Sequence, residues 1–274
     1  MTIRADYHMH TDHSGDSKAS MESMIEHAIE SGLSDICFTE HHDIDFIYNE
    51  AGTEGMFELD IPKYRADYLR IVPGYADRIN VRFGMELGVQ PDIASKLQAA
   101  VDSAPFDFII ASSHLCHKKD PYYASFCEGR TIKEAMTEYF ESILENIRAF
   151  DDFDVYGHLD YAIRYAPVSE QNFLYKYADY ADVLDEIFRS LIEKGKGLEI
   201  NTGGLRRNMK ATNPNEEILK RYRELGGEII TTASDAHEPA MIASAFDLVE
   251  AILSRCGFRY YTIFRDRKPS FLPL

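Results

Sequence analysis

Tryptophan is absent from the 274 residues, cysteine and basic residues are scarce, and long apolar runs are missing. No run approaches the roughly 18 residues that a membrane-spanning helix needs. Lysine and arginine number 29 against 46 acidic residues, a formal charge of −17. That balance argues against extended contacts with a phosphate backbone, which require basic side chains. Without tryptophan, and with so few cations, a strand-binding groove built on stacking and charge is also disfavoured, although tyrosine is plentiful. A small anion held by local arginines remains open. The four cysteines, Cys37, Cys116, Cys127 and Cys256, show no close pairing and no CxxC spacing. Neither a disulfide framework nor a zinc site built on thiolates is expected, and reduced thiols make the cytoplasm the default compartment. The chain reaches Asp6 and His8 without a basic head or apolar signal core, so no export signal is expected. No GxGxxG loop follows an apolar run, which leaves a dinucleotide fold unsupported. No repeat or long flexible linker interrupts the chain, so one domain over residues 1–274 is expected.

What the chain does have is alternation. Short apolar runs at Ile3 to His8, Ile36 to Phe38, Val81 to Met85, Phe106 to Ile110, Phe153 to Tyr156, Leu198 to Ile200 and Ile229-Ile230 read as seven strands. Tyr260 to Phe264 reads as a further edge strand. Helical patterns lie between them. Ser20 precedes an apolar face of Met21, Met24, Ile25, Ala28 and Ile29 that stops at Gly32. Thr131 and Glu134 have capping-box spacing ahead of an apolar stripe running to Leu144. Asn213-Pro214 reads as a cap and first-turn proline of a helix ended by Gly226-Gly227. Such alternation implies a parallel sheet. Residues 43–62 and 115–130 are longer than a simple connection and are candidates for a substrate lid.

Histidines and carboxylates cluster where these strands run out: His8 and His10 with Asp16 behind, Glu40-His41-His42, Glu86, His114, His158, and Asp235 with His237. Seven strands, six of them with such residues at their ends, favour a barrel over an open, doubly wound sheet. Two residues apart on a strand, His8 and His10 leave the same face, and Asp235 and His237 repeat the spacing. Imidazole and carboxylate suit zinc, manganese or iron. Glu86 stands among apolar strand residues, where an unpaired carboxylate costs several kcal/mol and coordination would relieve it. His13, His27, His42 and His117 have weaker claims, and His27 fits an amphipathic helix.

The runs Asp6-Tyr7-His8-Met9-His10, Phe38-Thr39-Glu40-His41, Gly84-Met85-Glu86, Ser113-His114, Gly157-His158 and Ser234-Asp235-Ala236-His237 occur in an order that resembles the PHP (polymerase and histidinol phosphatase) superfamily, most of all its histidinol-phosphate phosphatases. The resemblance covers most of the chain and implies an α/β fold, a distorted (β/α)7 barrel. It also implies three divalent metal ions, zinc first with manganese or iron as alternatives. By motif position His8, His10, Glu86 and Asp235 would bind one ion. Glu86 would bridge to a second ion completed by His114 and His158, and Asp16, His41 and His237 would hold the third. Many members carry histidine where Asp16 stands here, and His13 is the alternative to Asp16. In that family arginines in the contexts of Arg164 and Arg206 contact substrate phosphate, so both are assigned that part; neighbouring Arg207 is the position most easily confused with Arg206.

The implied reaction is hydrolysis of L-histidinol phosphate to L-histidinol and phosphate, in histidine biosynthesis, by a hydroxide bridging two metals. Asp235 or a nearby histidine would protonate the leaving alkoxide. The substrate's cationic amine would suit an acidic rim, with Glu40, Asp43 and Asp45 as possible contacts. A PHP phosphoesterase for another ester (nucleotide, phosphotyrosine or DNA end) is the nearest rival. A non-catalytic, metal-stabilised scaffold is a third reading, although every expected ligand position holds a competent residue. A small phosphate monoester is the expected partner, without nucleic acid or membrane; nothing in the sequence speaks to oligomeric state.

Overall fold

The computed structural model describes residues 3–48, 50, 52–167, 175–206 and 209–274. Seven parallel strands follow one another around a nearly closed barrel: β1 (Ala5–Asp6), β2 (Asp35–His42), β3 (Asn80–Gly88), β4 (Phe108–Ser112), β5 (Val155–Tyr156), β6 (Gly197–Asn201) and β7 (Ile230–Ala233). Their order in the sheet is their order in sequence, as consecutive βα units require. The lengths are uneven: β2 and β3 have 8 and 9 residues, while β1 and β5 have 2 each. This inequality distorts the barrel. The circle closes between β7 and β1 through Tyr7 N–H to Thr232 O at 2.8 Å, Thr232 Oγ1 to Ala5 O at 2.6 Å and Asp235 N–H to His8 O at 2.8 Å. Asp235 and His8 are thereby locked side by side by backbone alone.

Helices cover the outer face, and their caps follow local chemistry. Ser20 accepts from Ser23 N–H to start α1 (Met21–Glu30), and Asp60 accepts from Lys63 N–H to start α2 (Ile61–Ile71). After α3 (Ala94–Asp102), the expected capping box is present, with both reciprocal bonds between Thr131 and Glu134, at the head of α4 (Ile132–Ala149). α5 (Ala181–Glu193), α6 (Glu216–Glu224) and α7 (Phe246–Arg255) complete the layer. One expectation is displaced here. Asn215, not Asn213, caps α6, accepting from Ile218 N–H at 3.2 Å. The Asn213 side chain is turned inward to the site described below.

The late apolar run is not an edge of the main sheet. β8 (Tyr260–Arg265) pairs antiparallel with β9 (Lys268–Pro273) as a separate hairpin. Its turn residues Asp266 and Arg267 both have positive φ, 49° and 62°, the twist-matched geometry of a two-residue connection. The hairpin covers the end of the barrel where strands begin. Tyr7 Oη lies 2.6 Å from Asp35 Oδ1 and 2.9 Å from Phe264 O, within reach of either acceptor for its one hydrogen, and Arg267 Nε donates to Asp154 Oδ2 at 2.6 Å. The Phe108 ring lies 5.3 Å from Tyr7 and 5.0 Å from Phe264. With that end filled, the opposite end is left for chemistry. Among the described residues no helix is long and apolar enough to cross a membrane.

Phe108 is fully buried at the junction of barrel and hairpin. Phe108→Ala should therefore lower the unfolding free energy by about 3–5 kcal/mol, as for a large aromatic removed from a packed core. Urea unfolding followed by circular dichroism measures it; an unchanged midpoint would show that the hairpin does not seal the barrel.

Candidate metal centre

Glu86 lies near the end of β3, fully buried, with each carboxylate oxygen facing different rings. Oε1 stands 3.2 Å from His114 Nε2 and 2.9 Å from His158 Nε2. Oε2 stands 3.2 Å from His8 Nε2, 3.6 Å from His10 Nε2 and 2.9 Å from His41 Nδ1. Asp235 Oδ1 approaches His8 and His10 Nε2 at 3.8 and 3.7 Å. Asp16 Oδ2 lies 3.1 Å from His237 Nε2 and 3.6 Å from His41 Nε2. All nine residues expected from the sequence thus converge at the strand ends. His13 does not join them: its Nε2 is 3.4 Å from Asp67, and its ring packs on Tyr64.

Each strand supplies side chains here because parallel strands deliver their C-terminal residues to one rim. The backbone adds a constraint at Asp235, whose φ of 55° is unusual for a residue with a Cβ. A left-handed turn directly after β7 keeps both Asp235 and His237 on the rim. Such an outlier points to a site that fixes the side chain's direction.

Outer partners set the ring orientations. His8 Nδ1 lies 2.8 Å from Glu199 Oε2, His114 Nδ1 2.7 Å from Asp43 Oδ1, His10 Nδ1 3.2 Å from Ser14 Oγ, and His237 Nδ1 3.1 Å from Asp235 O. Each acceptor holds the Nδ1–H and so aims the Nε2 atom inward. His8 Nε2, His10 Nε2, His41 Nδ1 and Glu86 Oε2 are buried and lack a hydrogen-bond partner among the described residues. Buried polar atoms are rarely left so, and converging nitrogen and oxygen donors without sulfur fit divalent cations. Three-residue sets whose ligand atoms lie within 4.8 Å of one another overlap: His8, His10 and Asp235; His8, Glu86 and His158; His41, Glu86 and His114; His10, His41 and His237. The overlap makes this one continuous cluster.

At His8, His10, His114, Glu86, Asp16 and Asp235 burial opposes the charged form, and neighbours then decide the outcome. For His8, burial is outweighed by Glu199, Glu86 and Asp235, which hold its pKa well above the usual imidazole range. His114 is raised to about 10 by Asp43 and Glu86, again against burial. His10 falls well below its ordinary value through burial and the adjoining His41, His237 and His8. Glu86, Asp16 and Asp235 are all lowered despite burial, Glu86 by His8, His114 and His41, Asp16 by His41 and His237, Asp235 by His8 and Arg164. The carboxylates are held as anions. Anionic oxygens are what a cation requires, and a cation bound at the imidazoles would take the place of the proton that His8 and His114 otherwise hold towards Glu86.

Arg164 borders the cluster and is 6% exposed. Its Nη1 donates to Asp235 Oδ2 at 3.0 Å, Nε to Asn213 Oδ1 at 3.0 Å and Nη2 to Asn201 Oδ1 at 3.3 Å. Asn213 is held in turn, its Nδ2 donating to Asp160 Oδ1 at 2.6 Å, while Tyr175 Oη donates to Asp160 Oδ2. Arg206 Nη2 reaches Asp235 O at 2.9 Å from a short helical turn, Gly203–Arg206, after β6. Arg207 lies outside the described residues. The cluster opens into a cavity of about 360 Å³, within the usual size of small-ligand sites. Both long connections line it, residues 43–62 through Asp43, Phe46, Tyr48, Glu50 and Phe57, and residues 115–130 through Asp120, Tyr122 and Tyr123.

Two expected rim acids face elsewhere. Glu40 is fully buried beneath the cluster, accepting from Thr11 N–H, Thr11 Oγ1 and Ser14 Oγ, because those three donors satisfy it inside the fold. Asp45 pairs with Lys96 at 2.5 Å. Four residues of the site were not expected from sequence: Glu199, Asn201, Asn213 and Asp160. Glu199 carried a readable signal, since a carboxylate between Leu198 and Ile200 is the same anomaly as Glu86 in β3. The asparagines carried none.

Comparison with known proteins agrees with this architecture. A histidinol-phosphatase of Lactococcus lactis subsp. lactis is 33% identical over 97% of this chain and 96% of its own length. The Saccharomyces cerevisiae histidinol-phosphatase is 23% identical over 89% of this chain and 87% of its own. A crystal structure of the Lactococcus lactis histidinol phosphate phosphatase complexed with zinc, L-histidinol and phosphate superposes with a TM-score of 0.89, at 31% identity, covering 97% of this chain and 98% of that one. A Listeria monocytogenes structure at 17% identity shares the fold with a TM-score of 0.76, covering 89% of this chain and 98% of that one. The PHP domain model matches residues 6–203, from the aspartate before the first histidine pair to the turn that carries Arg206. On that match and on the conserved-length relative at 33% identity, the chain belongs to the PHP domain family.

Proposed function

We propose that this chain is a metal-dependent phosphomonoesterase that hydrolyses L-histidinol phosphate to L-histidinol and inorganic phosphate, in histidine biosynthesis. The observation that carries the reading is the buried Arg164 guanidinium fixed at the edge of the nine-residue histidine–carboxylate cluster, in a chain overlapping so fully with a phosphatase that binds zinc, L-histidinol and phosphate. His8, His10, Glu86 and Asp235 would hold one cation, Glu86, His114 and His158 a second, and Asp16, His41 and His237 a third. Zinc is the first choice, with manganese or iron as alternatives for the same nitrogen and oxygen donors. Bound cations of this kind supply Lewis acidity to a phosphoryl group and a water acidic enough to serve as nucleophile near neutral pH.

The chain's own residues do the rest. Arg164 presents a planar fork to the phosphate oxygens, and Asn213 and Asn201 keep it from swinging away. Arg206 approaches from the other side of Asp235. Asp235 is held anionic by His8 and Arg164 against its burial, so it enters the reaction unprotonated, with an oxygen open to a proton in transit. It takes a proton from the attacking water at Oδ and returns it to the departing alkoxide, so the proton count balances. Asp43, Glu50 and Asp120, with Tyr122, Tyr161 and Tyr165, line the rest of the cavity. Acid and aromatic surface there suits the ammonium and imidazole of histidinol. It suits a polyanionic nucleotide poorly, which favours the amine ester over the rival phosphate esters.

Phosphate release from L-histidinol phosphate, measured beside nucleotide and sugar phosphates with metal-replete protein, tests the assignment. Preference for histidinol phosphate is expected, and Arg164→Ala should reduce kcat/KM by about 100-fold or more, the loss typical of a preorganised charge stabiliser. Preference for nucleotides would overturn the substrate while leaving the hydrolase. Asp120→Asn should raise KM for histidinol phosphate yet leave a neutral alkyl phosphate unaffected; equal effects on both would remove Asp120 from amine recognition. Glu199→Gln should weaken metal binding by about 10- to 100-fold, because it loses the anionic acceptor that orients His8. Competition against a chromophoric chelator reads this directly, and an affinity equal to the parent protein's would refute the orienting part.

A further inference from the structure

The loop that leaves β4 makes a second convergence of ligand-type side chains, outside the central cluster. Cys116 and Lys119 pair through backbone bonds of 2.8 and 2.9 Å, so His117 and Lys118 form the tip of a two-residue turn. Both tip residues are left-handed, with φ of 47° and 63°, in positions that normally take glycine or asparagine. Strain of this kind in residues bearing a Cβ is held only where surrounding contacts fix it. Here the turn throws the His117 ring onto α4. Nδ1 lies 3.1 Å from Glu138 Oε1 and Nε2 lies 2.9 Å from Glu145 Oε2, two acidic residues seven apart on one helix face.

The ring cannot serve two carboxylates with one proton. With Nε2–H donated to Glu145, the Nδ1 lone pair of the neutral ring faces Glu138 Oε1, and either a second ring proton or a cation lies between them. Cys116 supplies the third donor. Its sulfur, an imidazole nitrogen of His117 and a carboxylate oxygen of Glu138 lie within 4.8 Å of one another. Arg130 pairs with Glu138 through Oε2, which leaves Oε1 directed at the ring. We propose that Cys116, His117 and Glu138 form an auxiliary divalent-cation site of the thiolate–imidazole–carboxylate kind that suits zinc, with Glu145 orienting the imidazole through Nε2. The arrangement repeats the carboxylate–histidine–metal relay common to zinc sites. Cysteine spacing alone excludes a site built on several thiolates; one thiolate joined by residues from the turn and from α4 has no spacing signature.

Placement gives the site its consequence. His117 is 43% exposed at its side chain, so a cation has access from solvent, while Cys116 is buried beneath it. The segment that starts at this turn carries Asp120, Tyr122 and Tyr123 to the cavity wall. A cation bound here fastens the root of that segment to α4 and so steadies the wall that faces substrate. The site does not depend on the hydrolytic reading.

Cobalt(II) distinguishes the two metal sites, because a thiolate ligand gives a near-ultraviolet charge-transfer band that nitrogen and oxygen ligands do not. The central cluster contains no sulfur. Full-length protein freed of metal and titrated with cobalt(II) should develop this band, and zinc should displace it. His117→Ala, an exposed position, should abolish the band and, by loosening the segment that carries Asp120, raise KM for histidinol phosphate more than it lowers kcat. Cys116→Ser should do the same where it folds, and Glu138→Gln should weaken it. Absence of the band in the parent protein overturns the proposal, as does a band that persists in His117→Ala; the ring would then be a cationic bridge between two glutamates.

Discussion

A single carboxylate at the centre of the barrel mouth organises the site. Glu86 is wholly buried, and five imidazoles stand within 3.6 Å of its two oxygens. An isolated carboxylate in such a place would cost many kcal/mol and would instead take up a proton. The surrounding rings reverse that outcome and keep it anionic. Glu86 in turn holds the rings in register, since His8 comes from the segment after β1, His41 from β2, His114 and His158 from the segments after β4 and β5. Its dependence on them is mutual, and it makes the mouth of the barrel one electrostatic unit.

That unit rests on a second ring of contacts. Glu199 connects β6 to β1 through His8 and also accepts from His158 N–H at 2.6 Å, so one carboxylate sets two members of the cluster. Asp43 does the same work for His114 from the long segment after β2. Asp160, Asn213 and Arg164 form a chain whose last link reaches Asp235. Burial raises the Asp160 pKa to about 6, opposed by Tyr175 and Asn213. Near neutral pH the group is predominantly ionised, and an ionised Asp160 can only accept, which fixes the Asn213 amide with its oxygen towards Arg164. The Arg164 guanidinium is thereby oriented by a chain of buried polar side chains.

Much of this was legible in sequence, for a physical reason. Parallel strands present their ends to one rim, so a motif at each strand end implies a shared pocket, while the choice of nine residues within those motifs comes from the resemblance to the PHP superfamily. The barrel itself followed from seven apolar runs alternating with capped helices. The missed features share a cause: they depend on geometry that periodicity does not carry. Asn213-Pro214 has the pattern of a helix start, yet Asn215 takes the cap and Asn213 faces Arg164. Tyr260 to Phe264 reads as a strand and is one, but sequence does not say that it folds onto β9 and Phe108 rather than extending the barrel. Glu40 looks like a site acid beside His41 and is instead satisfied from within, because neighbouring β-strand residues point to opposite faces.

The overall charge of −17 and a phosphate substrate are compatible once distance is considered. Screening confines exposed charges to about 8–10 Å at ordinary ionic strength, so the acidic outer helices contribute little at the barrel mouth. Inside it, the carboxylates of Glu86, Asp16 and Asp235 are already matched by histidines and by Arg164. Cations held by the same ligands would add positive charge in a place where water is largely excluded and each interaction counts for more. The acids that remain unmatched by the cluster, Glu50 and Asp120 among them, line the outer part of the cavity. The pocket is therefore polarised along its depth, receptive to an anion at the base and to a cation at the rim. A small ester with phosphate at one end and an amine at the other fits that gradient in one orientation only, with its phosphorus at the metal centre.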